Sequence, residues 1–392
     1  MRSTRSILLA VSVLVVVLLL GGGLAVKVGA AENSYHQVVV FSEILSLVID
    51  NYVDPVEADK LLAGAFEGML GGLDANGAYL TPEEAQAWKD EVRGPAHPGI
   101  SVLKAGSSLQ VVALDAGSPA EASGVEVGDH IRSIDGQSVR DLSLSQAWRL
   151  IQGDPGTTVK FDLLHPADGF RREEIEVRRT SDTGRTYELD VERGIAVLRI
   201  YDMGRLSAAE LASELDDVRS RGVDNLLLDL RNLADLHPRD AVVVGGLFSS
   251  GPLLRLRDRS GRLLESLEST RDGESWVGSI AVLVNGATAG SSEALASLVK
   301  SDRGGLVLGE TTYGLGAEPK LYELEDGSGL LVSSALWETV SGEQWNATGV
   351  EPDHVIRGTG NDLDARAADQ LERALDLLWQ RERDGSDART AT

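Results

Sequence analysis

From Gly194 onward, short apolar runs alternate with amphipathic stretches, and this alternation narrows the folds open to the chain more than any other feature. Residues 195–200, 226–230, 280–284 and 306–308 read as strands, and 208–221, 240–248 and 291–300 as helices. Strands separated by helices need crossover connections, so the expectation is an α/β layer. Leu371, Leu375, Leu378 and Trp379 line one face of a final helix, and the polar tail after Arg381 reads as loose.

Upstream the pattern changes twice. Residues 35–88 read as helical, with Val38, Phe41, Ile44, Leu45, Val48 and Ile49 at helical spacing. A second helix falls near 58–70, and Thr81-Pro82-Glu83-Glu84 opens a third, with Thr at the cap and Pro in the first turn. Gly94-Pro95 and Pro98-Gly99 mark a boundary. Between 99 and 179 lie short β runs at 101–103, 109–113, 130–134 and 158–164, with one helical stretch at 144–151. The expected fold is α/β and multi-domain: a leader or anchor at 1–31, a helical region at 32–93, a mixed module at 94–180, an α/β core at 181–360, and a helix and tail at 361–392.

Composition removes several functions. Asp and Glu outnumber Lys and Arg by 61 to 37, a net charge of −24 over 392 residues. Phosphate-backbone binding needs clustered cations, so a nucleic-acid partner is not expected. No cysteine is present, which excludes disulfides, thiol nucleophiles and cysteine-ligated zinc. The six histidines form no H-E-x-x-H helix, and neither a metal nor a cofactor is expected. Arg2 and Arg5 precede an apolar run from Ile7 to Val26, followed by Val28-Gly29-Ala30-Ala31. That reads either as a cleaved secretory signal or as one uncleaved membrane helix. In both cases the remainder of the chain lies outside the cytoplasm, as a periplasmic or other extracytoplasmic envelope protein, with the membrane touched by this segment only.

Ser118-Pro119-Ala120-Glu121-Ala122-Ser123-Gly124-Val125, then Gly128-Asp129-His130-Ile131 and Ile134-Asp135-Gly136, resemble the signature of a PDZ domain. Gly124 and Gly128 would serve tight turns, while Ile131 and Ile134 would point inward. The resemblance implies peptide binding by strand addition, with backbone N–H groups capturing a C-terminal carboxylate. The matching loop is Gly99-Ile100-Ser101-Val102, in which Ser101 stands where the family loop has its second glycine.

The exported chain as a whole resembles the carboxyl-terminal processing (tail-specific) serine peptidases. The resemblance rests on Gly64-Ala65-Phe66-Glu67-Gly68-Met69-Leu70, Tyr79-Leu80-Thr81-Pro82, Leu228-Asp229-Leu230-Arg231-Asn232, Val284 to Glu293, Gly309 to Gly316, and Gly349-Val350-Glu351-Pro352-Asp353. Such enzymes cut amides with a serine nucleophile and a desolvated lysine base that a glutamine orients, and glycine-loop N–H groups hold the oxyanion. Carried onto this sequence, the nucleophile position V-N-x-x-T-A-S-A-S-E falls on Gly290 and the lysine of G-x-x-T-x-G-K-G on Leu315. The glutamine position falls on Pro319, and both oxyanion-loop glycines are replaced, by Asp235 and Leu236. No family-equivalent catalytic position keeps its chemistry. Ser291 is the fallback nucleophile; helix capping is the expected role of Ser291 and Ser292.

The expected function is therefore an exported, catalytically degenerate pseudo-peptidase that binds peptide or protein C-termini, or that partners an active peptidase or another envelope protein. The alternative is an active serine endopeptidase of the cell envelope using Ser291. A structural scaffold with an unused groove is the third reading.

Overall fold

A computed structural model of the chain describes residues 36–90, 96–115, 117–181, 185–235, 237–269, 276–359 and 363–390, and the statements below concern these. The leader or anchor at 1–31 and Leu236 lie outside them. Among the described residues no helix is long and apolar enough to cross a membrane. The chain divides into two units, up to Phe66 and from Glu67 on. In the first, residues 36–51 are helical, as the spacing predicts, and Val38, Ile44 and Leu47 are exposed on that helix.

In the second unit, the predicted alternation yields a six-stranded sheet. Its strands run in the spatial order His354–Val355, Leu306–Gly309, Ser279–Val284, Asn225–Asp229, Ile195–Ile200 and Tyr187–Glu192. All neighbours are parallel except the last pair, a hairpin turned by Arg193 and Gly194, both at positive φ. Both faces are covered, which is why these strands read as continuous apolar runs. Ala196, Leu198, Leu226, Leu228, Ile280 and Val282 face the helices Ala208–Ser220 and Ser291–Arg303. Ile195, Val197, Leu227, Ala281 and Leu283 face the last helix through Ala374 and Leu375. That helix spans Leu363–Thr390, so the stretch after Arg381, expected to be loose, continues it. The helix expected at 240–248 is shorter, a 3₁₀ turn at Pro238–Asp240 followed by Ala241–Gly245, because Gly245-Gly246 halts it.

A second, antiparallel sheet was not legible in the sequence. Its central strand Gly329–Thr339 pairs with Pro252–Asp258, Ala317–Glu323 and Ala78–Leu80. Charged residues such as Arg255, Arg257 and Lys320 disguise these strands, whose inner face buries Leu254, Leu256, Ala335 and Trp337. Ala78–Leu80 lies in the stretch read as helical. It is followed by the helix Pro82–Lys89, whose start is as predicted: Thr81 caps it in a reciprocal pair with Glu84, and Pro82 stands in the first turn.

The mixed module is an antiparallel sheet in the order Ile100–Ala105, Ser108–Leu114, His130–Ile134, Thr158–His165 and Arg171–Arg178, with the helices Pro119–Ala122 and Leu144–Ile151. The last strand, RREEIEVR, escaped prediction because only Ile175 and Val177 turn inward. Gly124 and Gly128 take φ of 90° and 99°, and Ile131 and Ile134 are fully buried, as expected.

One buried ion cluster joins the central strand to the last helix. Asp229, 1% exposed, accepts from Arg231 Nη2 at 2.7 Å and Arg199 Nη2 at 2.8 Å, and the Arg231 guanidinium also donates to the Ala367 carbonyl. Burial alone would push the carboxyl up, but the hydrogen bonds and charges of Arg231 and Arg199 outweigh it and hold it below the ordinary aspartate value. This contribution is present above the unfolded-state pKa and is lost as pH falls through the lower native value. Asp229→Asn should cost about 3–5 kcal/mol, because it strands buried Arg231 without its partner. Urea denaturation at pH 7 measures this, and the gap between variant and parent should narrow below pH 4.

Candidate active site

The strand Ser279–Val284 leads into a turn that delivers Gly290 to the start of the helix Ser291–Arg303. The sequence fixes this turn through side chains that bind backbone. Asn285 Oδ1 accepts from the N–H groups of Ala287 and Asn232, both at 3.1 Å, while its Nδ2 donates to Asn232 Oδ1 at 2.6 Å. Thr288 Oγ1 donates to the Leu230 carbonyl at 2.9 Å. The turn is thus sewn to segment 230–235, with which it forms a short parallel bridge pairing Ala234 with Ala289 and Asp235 with Gly290. Gly290 has φ 68° and ψ −113°, a strained strand-to-helix bend that a glycine adopts at least cost.

Glu293 is fully buried three residues later. Its carboxylate accepts from the N–H groups of Gly290 (3.0 Å), Gly314 (2.6 Å) and Leu315 (2.7 Å), and from the Thr312 hydroxyl. Thr312 Oγ1 in turn accepts from the Val350 N–H at 2.7 Å. Burial pushes the Glu293 carboxyl up, and the four donors pull it back. Sequence reading missed this residue as an organiser; the signal was a glutamate at the third helical position, the spacing of a capping box.

Gly290 and Leu315 are therefore brought together, since both backbone N–H groups meet one carboxylate. Pro319 is not held by it: it sits on the strand Ala317–Glu323 beside a register shift, opposite Ser333. Leu315 is 6% exposed and joins Ala234 and Ala289 in the apolar cluster that includes Val102 and Leu103 of the mixed module. Ser291 and Ser292 do not cap the helix, contrary to expectation, because Gly290 holds the cap position. Ser292 Oγ donates to the Leu233 carbonyl at 2.6 Å. Ser291 Oγ is buried without a hydrogen-bond partner among the described residues. No base serves it. Lys300 Nζ donates to the Glu351 carbonyl at 2.6 Å, and Lys320 lies over the Tyr322 ring. His165 is paired with Asp129 at 2.9 Å in the mixed module, and His130 contacts Ser108 there.

Of the expected carboxylate loop Gly99-Ile100-Ser101-Val102, only Gly99 lies outside a strand, which takes up the other three: Gly99 has φ 79°, and a Cβ there would meet Ser118 Cβ at 2.3 Å. The Gly99 N–H is taken by His97 Nδ1 at 3.1 Å. Ile100 and Val102 are core residues, and Ser101 is half-buried. Ile100–Ala105 is the edge strand of its sheet, and the Tyr313 hydroxyl reaches the Lys104 carbonyl at 3.4 Å. Asp115 donates its N–H to the Gly99 carbonyl, and its carboxyl is pushed up to about 6, by burial first and by Asp202 second, against the pull of Arg205.

Residues 194–356 match peptidase family S41, and residues 110–164 match the PDZ domain. The chain is 27% identical over 336 residues to a carboxy-terminal-processing protease of Bartonella bacilliformis, covering 83% of this chain and 76% of that protein. It is 31% identical over 293 residues to a carboxyl-terminal-processing protease of Picosynechococcus, covering 69% and 67%. The fold superposes on the photosystem II D1 C-terminal processing protease with a TM-score of 0.60 at 25% identity, covering 81% of this chain and 92% of that one. With its PDZ domain and its α/β core, the chain belongs to the carboxyl-terminal processing proteases of peptidase family S41.

Proposed function

We propose that this protein is a catalytically degenerate member of its family, exported through its N-terminal apolar segment, which binds peptide or protein C-termini at its PDZ domain. One observation carries the reading. The two positions tied to the Glu293 carboxylate, where the resemblance places nucleophile and base, hold a glycine and a buried leucine. Neither can attack a carbonyl or accept a proton. The rival, an endopeptidase using Ser291, has one point in its favour, the buried and unpartnered Oγ, and one against it, that no base or orienting group among the described residues is hydrogen-bonded to that Oγ.

The purified protein should not cleave an unfolded protein at neutral pH, as followed by mass spectrometry of the products. Turnover that disappears in Ser291→Ala would establish the rival instead. Installing the family pair with Gly290→Ser and Leu315→Lys should restore little. A serine at φ 68° costs about 1–3 kcal/mol of strain, and Asp235 stands where an oxyanion glycine belongs. Loss of one oxyanion donor alone lowers the rate by about 10²–10³. The check is the rate of the double variant against that of an active relative.

Binding is supported by the edge strand Ile100–Ala105 and its glycine-led loop. Free-acid peptides with an apolar last residue should bind about one to two decades more tightly than their amides, because a charge-assisted hydrogen bond contributes about 1.5–3 kcal/mol. Calorimetric titration of both forms tests this, and equal affinities would refute carboxylate capture. The Asp115 carboxyl next to the loop is charged above pH 6 and neutral below it, so repulsion of an incoming carboxylate falls on acidification. Free-acid affinity should rise between pH 7 and 5 in the parent but not in Asp115→Asn. Tyr313→Ala, which removes the contact with the Lys104 carbonyl, should also strengthen binding.

A further inference from the structure

In the PDZ domain, beyond the turn that ends the strand Ile100–Ala105, lies a pocket of about 260 Å³ bordered by Ser107, His130, Arg132, Ser138, Arg140 and Phe170. Its chemistry is opposite to that of the chain, which carries a net charge of −24. Arg132 and Arg140 are exposed, and neither guanidinium has a carboxylate partner among the described residues. Arginines nearby on the same sheet are compensated: Arg172 pairs with Asp162 at 2.7 Å, and Arg171 with Asp168 and Glu173. Two free guanidinium forks, an imidazole fixed by its 2.7 Å contact with Ser108, and two hydroxyls thus surround one small space.

The aromatic wall is held at a conformational cost. Phe170 is 67% exposed and takes φ 62° directly after Gly169 at φ 64°, with its N–H bound to the His165 carbonyl at 2.9 Å. A bulky residue in the left-handed region is an outlier, and such outliers collect at ligand clamps. Burial does not account for this one, since the ring faces solvent beside the half-buried Leu164.

We propose that this pocket is an anion site for a phosphoryl group. More donors border this space than the two oxygens of a carboxylate can use, while the three terminal oxygens of a phosphate monoester, or the two non-bridging and two ester oxygens of a lipid phosphodiester, offer more acceptors to planar guanidinium forks. Phe170 and Leu164 supply the apolar surface that the organic part of such a ligand would cover.

The test uses the full chain in an uncharged detergent, titrated calorimetrically with inorganic phosphate and, separately, with acetate. Phosphate should bind and acetate should bind at least about tenfold more weakly. Arg132→Gln and Arg140→Gln, both at exposed positions, should each weaken phosphate binding about tenfold. Hydrogen exchange of the 165–171 turn is then compared in lipid nanodiscs of phosphatidylcholine alone and with one quarter phosphatidylglycerol. Exchange slowed severalfold only by phosphatidylglycerol, and restored by Phe170→Gly, supports the site and assigns it to a lipid headgroup. Phosphate binding with equal exchange in both discs supports the site and assigns it to a soluble phosphorylated ligand. Acetate binding as tightly as phosphate, or both arginine variants titrating like the parent, would overturn the proposal.

Discussion

A single buried carboxylate holds the site together. Glu293 receives three backbone N–H groups and one hydroxyl, and through them the helix start at Gly290, the segment 312–315 and, by way of Thr312, the backbone at Val350 converge. A carboxylate removed from water costs several kcal/mol unless its oxygens are satisfied, so the arrangement persists only while all these segments stay in place. Three of the four donors are main-chain groups. These hydrogen bonds do not draw on the side chains at 290 and 315, and a glycine and a leucine sit there without loosening the frame. Scaffold and chemistry are physically separable in this fold.

The same separation explains the apolar filling of the site. Leu315, Ala234 and Ala289 join the PDZ core in one apolar cluster. A lysine at 315 would have to hold its amine in that cluster, which lowers its pKa by desolvation and leaves it neutral and basic. A leucine in the same place contributes only burial, about 1.5–3 kcal/mol for a side chain of its size. At this position the leucine contributes contact between the two domains.

Motifs whose meaning is local were legible in the sequence. The Thr81 cap, the Gly124 and Gly128 turns, the 144–151 helix and the parallel strands each follow from residues close together in the chain, and the structure has them where the pattern puts them. The family resemblance rests on the same kind of information, as short runs at fixed spacing. The residue types at Gly290, Leu315 and Pro319 were equally visible, because a residue type needs no coordinates.

What only the tertiary structure decided depends on distant partners. The second sheet escaped notice since Ala78–Leu80 and Gly329–Thr339 pair across some 250 residues, and strands with one polar face and a charged edge carry weak periodicity. The roles of Ser291 and Ser292 were misjudged because capping was inferred from sequence position, whereas Gly290 holds the cap and the Leu233 carbonyl claims Ser292. The organising role of Glu293 appears only when segment 312–315 folds over it. The sequence determined which side chains are present and which local turns they favour. Tertiary structure alone decided which of them share a carboxylate, an apolar cluster or a pocket, because those associations depend on loop closure and burial, which no local spacing encodes.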